Sequence, residues 1–320
     1  MTVLPARLSK RLMSGIGELG QLAAHPSMVR DYADVAWSFF VRKRERPFVL
    51  GLVLTDRCNL SCQHCRVASR TGAHMPWAKV EAHLRDFHCR GSRFLYIEGG
   101  EPYLWRDGER RLDDVVDLAR RVGYLRVHVY TNATLPLSAH DDFSWVSIDG
   151  TAPTYQALRG TGLDRVAGHA REALRRGKRL AVICTLNTVN YREVEAVCRL
   201  AADELERAPL IFFFHTPYYG RDHLLLSQAQ REEAVGAIRD CKRRGFDILN
   251  SWAGLDALEH GAFRHPTSLW WVVDGQGEHP CCRASGNPEI CRQCGYSSCA
   301  EIVLSQTLTP GALLGLVRYH

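Results

Sequence analysis

From Phe48 onward the chain alternates short apolar runs with longer amphipathic ones. The short runs are "FVLGLVLT", "RFLYIE", "RVHVYTN", "WVSIDG", "LAVICTLNT" and "LIFFFH". Rich in β-branched and aromatic residues, they predict strands. The longer ones, "WAKVEAHLRDFHC", "RLDDVVDLARRV", "DRVAGHAREALRRG", "REVEAVCRLAADELER" and "QAQREEAVGAIRDCKRRG", carry apolar residues every three or four positions and predict helices. Such alternation calls for right-handed crossovers and a parallel sheet. Before Phe48, "SMVRDYADVAWSFFVRKRER" places Met28, Tyr32, Val35, Ala36, Phe39 and Phe40 at roughly helical intervals. It predicts a basic amphipathic helix, packed over the open side or bottom of a barrel or resting on a membrane surface. Beyond Phe246 the rhythm lapses: "SWAGLDALEHGA" predicts one more helix, and "SLWWVVDGQGEHPCC" a β-hairpin turning at Asp274-Gly275-Gln276-Gly277.

Side chains on a strand alternate between faces. Tyr96 with Glu98, His128 with Tyr130 and Asn132, Trp145 with Ser147 and Asp149, and Thr185 with Asn187 therefore each share one face, and these faces are polar. The opposite faces are apolar: Leu95 and Ile97, Val127 and Val129, Val146 and Ile148, and Val182, Cys184 and Leu186. The apolar set must meet the helices. A curved sheet or partial barrel follows, with a polar lumen toward the strand ends where barrels hold their chemistry. On parity or loop position, His128, Tyr130, Glu98, Trp145, Asp149, Asn187, His215, Tyr218 and Tyr219 are pocket candidates.

Composition narrows the picture only a little. A 320-residue chain that is 46% hydrophobic and 24% charged is ordinary for a globular protein. Its formal charge of +6 is spread along helices rather than gathered into a basic tract, so nucleic acid is not implied. No apolar run approaches the ~18 residues of a membrane span, and the N-terminus lacks a secretory core. A cytoplasmic location is expected. There thiols stay reduced, and clustered cysteines among the twelve point to metal or redox chemistry.

The loop "TDRCNLSCQHC" after the first strand spaces Cys58, Cys62 and Cys65 as C-x3-C-x2-C. A structural zinc ion wants four closed ligands, and His64 is too close to Cys65 to complete them easily. An iron-sulfur cube can take three thiolates from one loop and leave one iron open. "PCCRASGNPEICRQCGYSSC" supplies five more thiols, for which zinc and iron-sulfur readings both stand. Cys89, Cys184, Cys198 and Cys241, on predicted helices or an apolar strand face, are expected in the core.

"CNLSCQHC" after a first strand resembles the signature loop of the radical S-adenosylmethionine enzymes. "EGGEP" (98–102) resembles that family's GGE motif, "YTNAT" (130–134) its TNG segment, and "VSIDGTAPTYQALRG" (146–160) a segment of members with further C-terminal clusters. Together these cover roughly residues 48 to 220. The resemblance implies that Cys58, Cys62 and Cys65 hold a 4Fe-4S cluster whose fourth iron is chelated by S-adenosylmethionine. Gly99, Gly100, Glu101, Thr131, Asn132, Ser147, Asp149 and Arg159 would bind that cofactor, with His64 at the place of the usual aromatic residue near adenine. Glu98 departs from the family pattern by putting a second carboxylate beside GGE, and Ala133 replaces the glycine of Asn-Gly, hinting at a slightly different turn.

The hairpin and the tail C-x2-C-x4-C resemble the SPASM and Twitch extensions. They imply one auxiliary 4Fe-4S cluster on Cys291, Cys294 and Cys299, completed by Cys281, Cys282 or both. The expected fold class is α/β: a 1–47 helical segment, a partial (β/α)6 TIM-like barrel over 48–245 and a small auxiliary-cluster domain over 246–320. The expected enzyme is of oxidoreductase or isomerase type. It cleaves S-adenosylmethionine reductively and takes hydrogen from a small molecule, with Glu98, Tyr130, Asp149 and Cys282 as catalytic candidates. A sugar, aminocyclitol or nucleoside is expected, because the stretch before Phe48 is too short and too helical for a peptide-leader module. Dehydrogenation, epimerisation or a related radical rearrangement in specialised biosynthesis would follow, with flavodoxin or ferredoxin as electron donor. The alternatives are a maturase of a ribosomally made peptide and a non-catalytic iron-sulfur or zinc protein.

Overall fold

The computed structural model describes residues 30, 33–65, 72–138, 140–218, 222–261 and 263–313. The chain divides into two compact units, 1–44 and 45–320. In the first, residues 33–36 are α-helical and Trp37–Val41 continue as a π-helical turn, in which Phe39 and Phe40 meet edge to face at 4.9 Å. The rest of the helix expected before Phe48, with Met28 and Tyr32, lies outside the described residues.

In the second unit the alternating pattern becomes strands β1 (Val49–Val53), β2 (Phe94–Glu98), β3 (Arg126–Thr131), β4 (Phe143–Ser147), β5 (Leu180–Leu186) and β6 (Leu210–Phe214). Between and after them run helices α1 (Trp77–Arg90), α2 (Leu112–Val122), α3 (Ala152–Arg159), α4 (Leu163–Arg175), α5 (Val194–Glu204) and α6 (Gln228–Arg243). Neighbours in this series pair in parallel and in sequence order. Helix α3 was hidden in the sequence inside the "VSIDGTAPTYQALRG" motif. Past α6 come α7 (Trp252–His260), β7 (Trp270–Asp274), β8 (Gly277–Pro280), the turn α8 (Pro288–Cys291) and α9 (Ser297–Gln306). The hairpin does not stand apart from the sheet. β7 pairs in parallel with β1 and β8 antiparallel with β7, giving the order β6-β5-β4-β3-β2-β1-β7-β8.

Strand parity sorts the two faces as expected. Leu95, Ile97, Val127 and Val129 are fully buried with α1 and α2, and Val146, Ile148, Val182, Cys184 and Leu186 with α4 to α6. Toward the strand ends the inner face is polar, as expected, with Glu98, Asn132, Ser147 and Thr185; earlier in the strands it is aromatic. Tyr96 stacks on Tyr130 at 5.5 Å and on Trp270 at 4.9 Å, Tyr130 stacks on Trp145 at 6.0 Å, and the His128 ring lies 5.4 Å from Phe143. Each residue carries a polar atom on a large apolar ring, and in a narrow interior the rings decide the packing. Trp145 Nε1 donates to His128 Nδ1 at 3.2 Å, so His128 belongs to this stack.

The outer edge of β6 is covered by the segment leading to α7. Leu210 N–H donates to Asp247 O at 2.8 Å and Leu249 N–H to Leu210 O at 2.7 Å. Fully buried Asn250 then imitates a strand: its Oδ1 accepts Phe212 N–H at 2.9 Å, and its Nδ2 donates to Phe212 O at 2.9 Å and to Ser297 Oγ at 2.7 Å. Asn250→Ala is expected to leave those groups buried and unpaired, lowering stability by about 3 kcal/mol. Thermal unfolding of both proteins side by side measures this; an unchanged midpoint would mean water replaces the amide.

Candidate functional site

The cysteine loop leaves β1 and is tied to the loop leaving β2. Gly100 N–H donates to Thr55 O at 2.7 Å and Glu101 N–H to Arg57 O at 2.9 Å. A Cβ on Gly99 would stand 2.4 Å from Thr55 O, and one on Gly100 2.3 Å from Arg57 O. The sequence suggested that these glycines admit a ligand. What approaches so closely is the cysteine loop's own backbone, so the glycines fix where the three thiols sit.

The end of β3 supports the same loop. Asn132 Nδ2 donates to Asn59 Oδ1 at 3.0 Å and lies 3.7 Å from Cys58 Sγ, while Leu60 N–H points at Cys58 Sγ from 3.4 Å. Ala133 takes φ 53°, the left-handed conformation natural to glycine.

Two carboxylates predicted at the site are enclosed by donors of the chain. Glu101 is fully buried and accepts from Thr131 Oγ1 (2.9 Å), Asn132 N–H (2.8 Å) and Tyr103 N–H (3.2 Å); burial outweighs these bonds and lifts its pKa to about 7. Asp149, also fully buried, accepts from Arg159 Nε (2.7 Å) and Nη2 (2.5 Å) and from Thr185 N–H (2.7 Å), and His64 Nε2 stands 3.3 Å from its Oδ2. Neither is among the residues lining the cavity described below. Burial holds His64 down to about 4, against the pull of the Asp149 carboxylate 3.3 Å away.

Cys58, Cys62 and Cys65 open on a cavity of ≈ 270 Å³. Its lining includes the predicted His64, Gly99, Gly100, Thr131, Asn132, Ser147 and Arg159, together with Glu98, Tyr130, His215 and Tyr218. His128, Trp145 and Asn187 do not line it, and Tyr219 lies outside the described residues. Asn187 instead caps its own turn, accepting Val189 N–H at 2.9 Å. The same cavity is lined by Cys281, Cys282 and Cys299, so both cysteine groups reach one space.

The five C-terminal thiols line a second, smaller cavity of ≈ 70 Å³, where Cys281 Sγ and Cys299 Sγ are 3.8 Å apart. This region is docked on the end of β6: Phe214 N–H donates to Gly295 O at 2.9 Å and Gly295 N–H to Thr216 Oγ1 at 3.0 Å. Of the other four cysteines, Cys184, Cys198 and Cys241 are buried, as expected. Cys89 is exposed instead, because its position on α1 faces away from the core side of Val80, Leu84 and Phe87.

Thiolate-bound iron fits both groups. Burial pushes the Cys62 thiol up to about 11 against the opposing Arg159, and raises Cys58 too. Such thiols ionise when a metal cation supplies the missing positive charge. Among the described residues, no three Cys, His, Asp or Glu side chains converge at the spacing of a single ion; what each cysteine group shares is a cavity.

Sequence reasoning passed over Arg283, Trp270 and Tyr296, which also line the main cavity. Trp270 enters because β7 joins β1. Parity within "WWVVD", which puts Trp270, Val272 and Asp274 on one face, was the available signal.

Residues 52–201 match the family described as the Radical SAM superfamily. Among curated proteins, the chain is 27% identical over 219 residues to Fe-coproporphyrin III synthase of Methanosarcina barkeri, covering 63% of this chain and 53% of that protein. It is 28% identical over 232 residues to pre-heme d1 synthase of Dinoroseobacter shibae, covering 68% and 52%. To PqqA peptide cyclase of Gluconobacter oxydans it is 28% identical over 215 residues, covering 62% and 59%. The chain thus matches little more than half the length of these relatives. In fold it is similar to Streptococcus suis SuiB bound to S-adenosylmethionine, with TM-score 0.61, 14% identity and coverage of 88% of this chain and 74% of that one. It is also similar to anSMEcpe with bound AdoMet and the Kp18Cys peptide, with TM-score 0.60, 16% identity and 76% coverage of each chain. No helix among the described residues is long and apolar enough to cross a membrane. With its cysteine loop, glycine-tied strand ends and ordered parallel sheet, the chain carries a radical SAM domain over residues 52–201, the domain of a family that binds a 4Fe-4S cluster and S-adenosylmethionine.

Proposed function

We propose that the chain is a radical SAM enzyme acting on a substrate held between a cluster on Cys58, Cys62 and Cys65 and an auxiliary cluster on the C-terminal cysteines. The observation that carries this is the single cavity lined by Cys58, Cys62 and Cys65 and also by Cys281, Cys282 and Cys299. A pure electron carrier has no use for such a space. When bound, the first cluster and S-adenosylmethionine would supply a 5'-deoxyadenosyl radical able to take hydrogen from an unactivated carbon.

The chain's residues position and enclose. Gly99 and Gly100 fix the thiol loop, Asp149 orients Arg159, and Tyr130, stacked on Tyr96 and Trp145, presents a held aromatic side chain to the space. Glu98 and Tyr130 are the substrate-facing candidates that reach the cavity. In this role Asp149 is a positioning residue, because Arg159 and Thr185 N–H take up its carboxylate.

The relatives' names move the substrate class. They are tetrapyrrole synthases and a peptide cyclase, and none is named for a sugar, aminocyclitol or nucleoside. A tetrapyrrole-type or peptide substrate is therefore favoured over the small polar class expected from sequence. The test is anaerobic reconstitution, reduction with dithionite and addition of S-adenosylmethionine. 5'-Deoxyadenosine and methionine are expected in equal amounts, whereas a reduced, iron-loaded protein that forms neither would leave only electron transfer.

A further inference from the structure

The main cavity is lined by a half-buried cation, Arg283, one of whose nitrogens is buried and unpaired among the described residues. Arg283 lines the cavity directly after the Cys281–Cys282 pair. Its Nε donates to Asp274 Oδ2 at 3.0 Å, but its Nη2 is buried without a hydrogen-bond partner among the described residues. A buried donor left unpaired costs about 1–3 kcal/mol, and nearly all such donors in folded proteins are satisfied by protein, water or ligand. Asp274 does not offset this cation fully. Its carboxylate also accepts Gln276 N–H (2.8 Å), Gly277 N–H (3.1 Å) and His279 Nε2 (3.1 Å), so its charge is shared over four donors. The hairpin turn thus clamps one side of the guanidinium.

The surroundings define what would fill the place. Trp270, Tyr218 and Tyr296 line the same space and bring large aromatic side chains to it, Tyr218 and Tyr296 bonded to each other through their hydroxyls. Glu98 lines it as well, and its charge bears on Arg283, yet the two are not paired as an ion pair. Glu98 reaches back over β1. A Cβ on Gly51 would stand 2.8 Å from Glu98 Oε1, so the glycine inside "FVLGLVL" leaves room for this carboxyl group. A dianion such as phosphate would meet Glu98 and the thiolates of Cys281, Cys282 and Cys299 in the same cavity. A single planar carboxylate matches a single guanidinium in charge and geometry.

We propose that Arg283, clamped by Asp274, anchors a carboxylate of the substrate, with the apolar body attached to that carboxylate lying along Trp270, Tyr218 and Tyr296. This rests on the reading of the cavity as the substrate site and gives that substrate its chemical class: an organic acid on an aromatic or otherwise apolar frame. Anchoring an acid group here would place the adjoining carbons in the space shared by the two cysteine groups.

The test is ligand-observed NMR titration of the reconstituted full chain with three probes: phenylacetate, phenylacetamide and phenyl phosphate. Phenylacetate is expected to bind about tenfold or more tightly than its amide, the worth of one charge-assisted hydrogen bond. It is also expected to bind more tightly than the phosphate. Arg283→Gln should remove that preference, leaving the acid and amide equal, and Arg283→Lys should keep part of it. Iron content of each variant shows whether the neighbouring cysteines still hold metal, and the wild-type comparison of the three probes stands even if a variant loses it. Equal binding of acid and amide by the wild type overturns the proposal, as does unchanged acid binding in an iron-replete Arg283→Gln protein. Tighter binding of the phosphate overturns the choice of carboxylate. Failure of the radical reading shows separately, as absence of 5'-deoxyadenosine from the wild type whatever the probes do.

Discussion

Replacing Cys58, Cys62 and Cys65 together by alanine is expected to abolish 5'-deoxyadenosine formation and to cut bound iron from about eight atoms per chain to about four, the loss of one four-iron cluster of two. Activity should fall to background rather than by a modest factor, because all three thiols that would hold the reducing cluster are removed together. The fold should survive. The loop is held by Gly100 N–H to Thr55 O, Glu101 N–H to Arg57 O and the Asn132–Asn59 bond, none of which uses a thiol. Iron and sulfide analysis with Mössbauer spectra measures the result. Eight irons remaining in the variant would show that the C-terminal thiols hold both clusters or that this loop holds none.

Gly295→Ala is expected to act at the other cysteine group. The new Cβ would stand 1.9 Å from Phe214 O and 2.4 Å from its carbonyl carbon, both backbone atoms at the end of β6 that no rotamer change can move. The segment must lift off, breaking the bonds from Phe214 N–H to Gly295 O and from Gly295 N–H to Thr216 Oγ1. Cys294 is the adjoining residue and Cys299 opens the α9 side of the same cavity, so the five thiols lose their common frame. About four irons should be lost, as for the triple variant, at a cost of about 3 kcal/mol in stability from overpacking and unpaired backbone groups. The two proteins then separate in one respect. Added S-adenosylmethionine should still perturb the spectra of Gly295→Ala but not those of the triple alanine variant. A fully iron-loaded Gly295→Ala protein would mean that the segment can dock elsewhere.

The features legible in the chain alone were those encoded locally. Period-two and helical patterns placed β1 to β6 and most helices, since backbone geometry repeats over a few residues and needs no knowledge of distant partners. The spacing of Cys58, Cys62 and Cys65 at a strand end was legible for the same reason. Parity also sorted inner from outer faces. It could not say that the inner rings of Tyr96, His128 and Trp145 pack on one another, because stacking depends on how sharply the sheet curves.

The sequence by itself thus determined a parallel α/β sheet, its outward apolar face and a three-thiol loop above it. Only the tertiary structure decided that β7 pairs with β1, and this pairing brings Arg283 and the second group of thiols to the cavity of the first. It also decided that Glu101 and Asp149 are enclosed by donors of the chain, while Glu98 lines the cavity beside Gly51. The reason is physical. Whether a carboxylate ends up a ligand or a brace depends on which donors reach it once the chain is closed, and those donors lie tens of residues away in sequence.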